Sequence, residues 1–396
     1  MERIELLSPA GDLERLKVTL LYGADAVYIG GEKYSLRANA DNFTLDEIRE
    51  GCSFAHKLGK RVHLTLNIVF HNEDMDEVEE YISQVVDAGI DAFIVSDPFI
   101  ISYIKTNYQN IEVHLSTQNS TSNYKAIQYF EREGVDRVVL ARELSKKQIE
   151  EIVKKVDTDI EVFIHGAMCT CFSGRCALSN YVTNRDANRG GCAQVCRFVF
   201  KNLSKKDFTM ALKDMNMAEY IKDLIDIGVK SLKVEGRMRS LYYLATVIGT
   251  YREIIDSYYN HTLTDQKMVI FQERLDRVAN RETSTHYFMK DADYTDQYYT
   301  GRCEKSNQDY LGQVISYDGR YLKFYERNYF EVGDFIEVFT PDGDHISFVL
   351  EKLYDSLKNP VDVARHPDNI YYLEYPFTCD IPEYSMIKIV KKKGDL

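Results

Sequence analysis

Five of the eight cysteines in this chain fall within one stretch, HGAMCTCFSGRCALSNYVTNRDANRGGCAQVCRF, and four of them follow the spacing C-x6-C-x15-C-x3-C. These four are Cys169, Cys176, Cys192 and Cys196. Thiolate sulfur is a soft ligand, so four thiolates on one loop can converge on a metal centre. An iron–sulfur cluster and a structural zinc ion both suit four cysteines. Zinc sites usually show two close pairs, and here only Cys192 and Cys196 form one, so the spacing favours iron–sulfur. Zinc stands as the alternative, and a metal-free loop as the plainest one. Cys171 can substitute as a ligand, but it lies too near Cys169 for both to bind one tetrahedral centre easily. Cys52, Cys303 and Cys379 read as small buried hydrophobes.

The same stretch is basic. Between Cys171 and Met210 lie Arg175, Arg185, Arg189, Arg197, Lys201, Lys205 and Lys206, against only Asp186 and Asp207. Such a run is ordinarily a solvated loop. It is also what a patch contacting phosphate or another anion requires. The contrast with the rest of the chain is sharp, because 49 basic residues face 62 acidic ones for a net charge of −13. An acidic chain is a poor general binder of nucleic acid, so any such contact has to be local.

The chain's 396 residues suit one large domain and a small one, and 44% apolar with 28% charged residues marks a soluble globular protein. No apolar run approaches the roughly 18–20 residues that span a bilayer, so no membrane role is expected. The N-terminal MERIELLSPAGD carries charge where a signal peptide needs an apolar stretch. A cytoplasmic location is the expectation, and in a reducing compartment clustered cysteines point to metal ligation rather than disulfides.

A repeat positions these residues. Gly23-Ala24-Asp25, Gly89-Ile90-Asp91, Gly134-Val135-Asp136 and Gly228-Val229-Lys230 each end a helical pattern and lead into an aliphatic run. Four further runs, Ile4–Leu7, Arg61–Leu66, Glu112–Leu115 and Glu161–Ile164, bring the strands to eight. Alternation with amphipathic helices predicts an α/β fold, a TIM-like (β/α)8 barrel. A doubly wound sheet is the runner-up, but no G-x-G-x-x-G follows a strand. The expected organisation is a barrel over 1–282 with a cysteine-rich insert at 166–213, a linker over 283–310, and a small antiparallel β-barrel domain over 311–396. Barrel active sites lie where strands end. There the chain offers Ser8, Gly30, Asn67, Ser96-Asp97, Ser116-Thr117-Gln118, Arg142-Glu143, His165-Gly166 and Glu235-Gly236-Arg237. Taken singly, a strand-end Ser or Asp is more often a helix cap than a catalyst.

The cysteine stretch closely resembles the signature of peptidase family U32, the collagenase-like proteases. The resemblance extends through ELLSPAGD, YGADAVYIGGEKYSLRA, LSTQNSTSNY, VVLARELS and LKVEGRMRS, so it covers nearly the whole chain. It implies more than the family's label. Better-understood members are oxygen-independent hydroxylases with a four-iron (4Fe-4S) cluster. They act on tRNA wobble uridine, giving 5-hydroxyuridine with prephenate as oxygen source, on a ribosomal RNA cytidine, or on a ubiquinone precursor. This chain looks most like the tRNA-hydroxylating branch. One departure concerns a K-D-L-C segment whose cysteine is a cluster ligand in many relatives. Here it reads Lys213-Asp214-Met215-Asn216, which leaves Cys196 to supply the fourth thiolate.

On that resemblance, Arg37, Arg142 and Arg237 are candidates to clamp the carboxylates of a prephenate-like donor, because guanidinium matches carboxylate as a bidentate fork. His165 is a candidate proton shuttle, or else a packed residue orienting the loop. Glu143 and Glu235 are candidate catalytic carboxylates, or else partners holding those arginines. Gln118, Arg185, Arg189 and Arg197 are candidate substrate contacts, with tRNA as the expected partner. Two other functions stand beside this one. A U32-type peptidase needs a Cys–His pair or an H-E-x-x-H helix, and the second is absent from the sequence. A non-catalytic RNA-binding or assembly protein is the other, since some family members work with a homologous protein partner.

Overall fold

Glycines of the repeat end four of the helices that feed the barrel. Gly23, Gly89, Gly134 and Gly228 have φ of 105°, 100°, 85° and 97°, the left-handed region that favours glycine. The acids that follow have a distinct task. The carboxylates of Asp25, Asp91 and Asp136 accept hydrogen bonds from the backbone N–H groups of Leu6 (2.9 Å), Val62 (2.7 Å) and Val113 (2.7 Å). Each acid thus stitches its own strand to the preceding one at the barrel's N-terminal rim. The repeat builds the base of the fold and leaves the opposite rim for chemistry.

The computed structural model describes residues 3–36, 42–299 and 309–393. Seven parallel strands, β1 (Glu5–Pro9), β2 (Ala26–Ile29), β3 (Arg61–Leu66), β4 (Ala92–Val95), β5 (Glu112–Leu115), β6 (Arg137–Val139) and β7 (Asp159–Gly166), pair in chain order. The eighth, Ser231–Val234, pairs in parallel with both β7 and β1 and closes the ring. The expected TIM-like barrel is therefore the fold. Helices α1 (Leu13–Leu21) to α6 (Lys146–Val153) and the long Leu241–Tyr259 helix pack outside it, burying aliphatic side chains against the strands.

Polar residues at the C-terminal rim divide between caps and lining. Asp97 caps the helix Pro98–Asn107 by accepting from Phe99 and Ile100 N–H, and Ser116 accepts from Gln118 N–H. Between β7 and the eighth strand the chain makes its long excursion. It holds the short helix Leu178–Thr183, a two-stranded hairpin of Phe200–Lys201 with Asp207–Phe208, and a short strand, Asp214–Asn216, antiparallel to the end of β7.

The C-terminal part forms an antiparallel sheet of eight strands curled into a half-barrel, with its own apolar core around Leu322, Phe324 and Ile387. It packs on the barrel's outer helices. The Tyr22 hydroxyl donates to the carbonyls of Phe339 (3.1 Å) and Tyr384 (3.0 Å), and Tyr242 stacks on Tyr310 at 4.9 Å. This packing places the sheet on the barrel's flank. Among the described residues no helix is long and apolar enough to cross a membrane. Cys52 is buried as expected, but Cys379 is exposed, because it sits in the surface connection after Tyr375. Cys303 and Arg37 lie outside the described residues.

Candidate active site at the barrel mouth

Three barrel loops hold the cysteine stretch in place. After β6, the Glu143 carboxylate accepts from Ser173 N–H (2.9 Å) and from its hydroxyl (3.1 Å). After β5, Gly174 presses on the Gln118 backbone, where an added Cβ would meet the carbonyl oxygen at 2.1 Å, and its φ is +74°. After β3, Arg189 donates to both oxygens of Asp74 (2.5 and 3.1 Å) and to the Val69 carbonyl (2.7 Å). Glu143 and Arg189 are thus anchors of the loop. Replacing Arg189 with alanine should remove about 1.5–3 kcal/mol of charge-assisted anchoring. The expected result is faster limited proteolysis within the loop with little change in barrel melting. Unchanged cleavage would show that the clamp is dispensable.

So held, the loop gathers its five cysteines. Burial and the nearby thiols of Cys176, Cys169 and Cys196 push the Cys171 thiol up to about 11, with Cys176 within hydrogen-bonding reach. Burial, then Cys169, also raises the Cys196 thiol, with Cys192 nearby and Arg197 opposing. None of the described cysteines is in a disulfide. No three His, Cys, Asp or Glu side chains among the described residues converge closely enough to hold a single ion. Asn216 is elsewhere, buried beside β7, where its side-chain oxygen accepts from Ala218 N–H (3.1 Å) and Tyr251 (3.3 Å).

Beside the thiols lies a cavity of about 410 Å3. Cys169, Cys192 and Cys196 line it with five arginines, Arg142, Arg185, Arg197, Arg239 and Arg281, and one carboxylate, Glu235. Asp214, behind the wall, accepts from Arg239 (2.8 Å) and pairs with Arg281 (3.3 Å). The lining remains strongly cationic, so it suits an anion. A second recess, about 90 Å3, lies in the barrel mouth itself. Asn67, Ser116, Gln118, Lys233, Arg237 and Phe163 are among its walls. Arg142 and Glu235 line both spaces, so the wall between the barrel mouth and the cysteine loop is made of one cation and one anion.

The two groups on this wall are held by the backbone at the start of the loop. The Arg142 guanidinium donates to the Ala167 carbonyl (2.6 Å) and lies 3.9 Å over the Phe163 ring, while Glu235 accepts from Ala167 N–H (3.3 Å). Arg237 donates to Asn42 (2.9 Å) and packs flat on Gly30, where a Cβ would meet its guanidinium nitrogens at 2.4–2.5 Å. Of the expected substrate contacts, Gln118, Arg185 and Arg197 reach a cavity wall, whereas Arg189 is turned to Asp74.

His165 is turned away from the mouth. Along β7 a two-residue period would aim Glu161, Phe163 and His165 into the barrel. The register with the eighth strand slips there, with Lys233 opposite Phe163 and Val234 opposite His165, so the bulge sends His165 to the outer face. Its Nδ1 shares a hydrogen bond with the Tyr251 hydroxyl (3.1 Å), and its ring packs against Tyr243 and Tyr251. Burial, helped by Arg239, lowers its pKa to about 3. The imidazole should therefore stay neutral between about pH 5 and 8, the range where an ordinary histidine titrates. NMR resonances of the ring that hold still across that range are expected, and a midpoint near neutrality would contradict the burial argument.

Lys233, Arg239 and Arg281 belong to the site but escaped the reading of the sequence. Lys233 had a visible signal, a cation inside the aliphatic run SLKVEG and in phase with Ser231 and Glu235. Arg281 had none, since it arrives from beyond the last barrel helix.

Residues 11–298 match the model of peptidase family U32, and residues 306–388 match the family's C-terminal domain. A Bacillus subtilis protein named tRNA hydroxylation protein P1 is 45% identical over 92% of this chain and 90% of its own length. The Escherichia coli K12 tRNA hydroxylation protein P is 30% identical over 96% and 95%. A Porphyromonas gingivalis W83 protein named collagenase is 34% identical over 80% and 81%. With the cysteine loop and most of the barrel and of the C-terminal half-barrel inside these matches, the chain belongs to peptidase family U32.

Proposed function

We propose that this protein is an RNA-modifying enzyme that hydroxylates tRNA, converting the wobble uridine to 5-hydroxyuridine without molecular oxygen. The observation that carries the reading is the pair of cavities joined at Arg142 and Glu235, one bearing the cysteines and arginines, the other the barrel-mouth cations. Relatives named for tRNA hydroxylation match nearly end to end, and an E. coli 23S rRNA 5-hydroxycytidine C2501 synthase is 35% identical over 74% of the chain.

The donor set fits a 4Fe-4S cluster. Four cysteines on one loop match the thiolate count such a cluster takes, one for each iron, and the arginines beside Cys169, Cys192 and Cys196 on the cavity wall would offset its negative charge. Cys169, Cys176, Cys192 and Cys196 would hold it, and when bound it would supply electron transfer at the mouth. Zinc is the alternative, and anaerobic purification with iron and sulfide analysis separates the two.

The chain's own groups do the rest. Arg142, Arg237 and Lys233 surround the smaller recess with three cations against Glu235, which suits a prephenate-like dicarboxylate oxygen donor. Arg185 and Arg197 on the larger cavity suit RNA phosphate. In this step a C–O bond of the donor breaks and its oxygen becomes the hydroxyl on uridine C5, while the C5 hydrogen and an electron pair pass to the donor, which is reduced by two electrons. His165, neutral on the outer face, acts by fixing the Tyr251 helix against β7 rather than by moving protons. A peptidase reading gains no support from the lining of either cavity, which among the described residues includes no histidine. The test is mass spectrometry of tRNA nucleosides from a deletion strain. Loss of 5-hydroxyuridine-type nucleosides is expected, and an unchanged profile would remove the tRNA assignment.

A further inference from the structure

The hairpin that follows the last clustered cysteine is not used by the site just described. Among the described residues its strands, Phe200–Lys201 and Asp207–Phe208, pair only with each other, and Asn202 closes the turn by accepting from Lys206 N–H (2.9 Å). Two strands alone are marginally stable in water, so a projecting hairpin that buries little has some other reason to persist. Its surface is unusual for a solvated turn. Phe198, Phe200 and Phe208 form a continuous ring stack, with centroids 6.4 and 5.6 Å apart and planes inclined by 30° and 31°. Phe208 is 45% exposed, and Val199 and Leu203 are more so. Lys201, Lys205 and Lys206 are exposed on the same hairpin, against the single carboxylate Asp207.

Tilted aromatic rings flanked by lysines form the surface that single-stranded nucleic acid binds, because bases stack on the rings and phosphates meet the cations. The charge favours the same partner. On a chain of net charge −13 these lysines are a local exception that attracts a polyanion. The hairpin also grows directly out of the cysteine cavity, since Cys196 and Arg197 line that cavity and Phe198 follows them.

We infer that the Phe198–Phe208 hairpin is an RNA-docking arm that grips an unpaired stretch of the substrate beside the base presented to the cavity. The inference rests on the RNA reading of the site and adds to it a second contact region, with rings for bases and lysines for backbone.

Binding of a fluorescent tRNA anticodon stem-loop, and of a duplex RNA of equal length, tests it by anisotropy over a salt series. The proteins are the full chain, K201E/K205E/K206E, and F200A/F208A. These side chains stand outside the barrel core, so equal thermal melting and equal iron content confirm intact folding. The charge-reversal variant should bind the stem-loop roughly tenfold or more weakly, with its salt slope reduced by about 2 for three lost single-strand phosphate contacts. F200A/F208A should lose stem-loop affinity while keeping duplex affinity and the salt slope, because stacking is not screened. Unaltered stem-loop binding by both variants, with the parent binding well, overturns the arm and leaves the proposed function standing. Failure of the parent to bind either RNA overturns both. Unaltered RNA binding with loss of a stoichiometric protein partner overturns the arm in favour of a protein-docking surface.

Discussion

Replacing Cys176 or Cys192 with alanine is expected to abolish tRNA hydroxylation while the barrel stays folded. Both thiols sit in the loop outside the barrel core, and the loop's anchors, Glu143 to Ser173 and Asp74 to Arg189, do not involve them. The barrel should therefore melt as the parent does. Removing even an outer partner of a metal ligand lowers affinity or activity about 10- to 100-fold, so losing a ligand should take activity below about one hundredth of the parent. Nucleoside mass spectrometry on tRNA from cells carrying each variant, with iron analysis of the purified protein, checks this. Cys171→Ser should keep its iron, while Cys196→Ala should lose it. The reverse pattern would move the fourth ligand to Cys171, whose thiol lies beside Cys176.

The second large effect is on stability. Inside the barrel, Lys233 donates to Glu161 (2.7 Å), and Arg137 reaches both Glu161 (3.3 Å) and Glu5 (2.5 Å). Glu161 is fully buried. Burial alone would raise its carboxyl, but Lys233, Arg137 and His114 outweigh that and hold it at about 2. Lys233→Met would leave the buried carboxylate short of its nearest cation. Breaking a buried pair in this way costs about 3–5 kcal/mol. A melting temperature lower by several degrees is expected in calorimetry, together with a changed acid limb. Because Glu161 titrates lower when folded, its contribution is present above about pH 4.3, the unfolded value, and fades as pH falls through the folded one. In Lys233→Met the folded value rises toward the unfolded one, so the fading should be smaller and should finish at higher pH. An unchanged melting temperature and acid limb would show that Glu161 does not depend on Lys233.

That ionic cluster also marks where sequence reading ends. The eight strands were legible because a buried parallel strand leaves a plain aliphatic run, and the glycines before four of them announced the helix ends. The charged residues within those strands, Arg137, Glu161 and Lys233, were just as visible. Their partners were not, because pairing across a barrel joins residues far apart in the chain. The cysteine loop was legible as a donor set for the opposite reason, since all of its thiols come from one segment. His165 shows a third kind of limit. Strict alternation along β7 aims it inward, and a single bulge opposite Val234 reverses it. Nothing in the residue string IEVFIHG foretells that slip. Arg189 likewise reads as a cation for substrate until Asp74, more than a hundred residues away, is found holding it.

The central claim is that the cysteine loop and the two cavities that meet at Arg142 and Glu235 form one hydroxylating site. It is tested most directly by incubating anaerobically purified, iron- and sulfide-replete protein with unmodified tRNA and prephenate, then measuring the nucleosides by mass spectrometry. The predicted result is uridine carrying one added oxygen, absent when Cys192→Ala protein replaces the parent. Replete parent protein that leaves every uridine unchanged would contradict it.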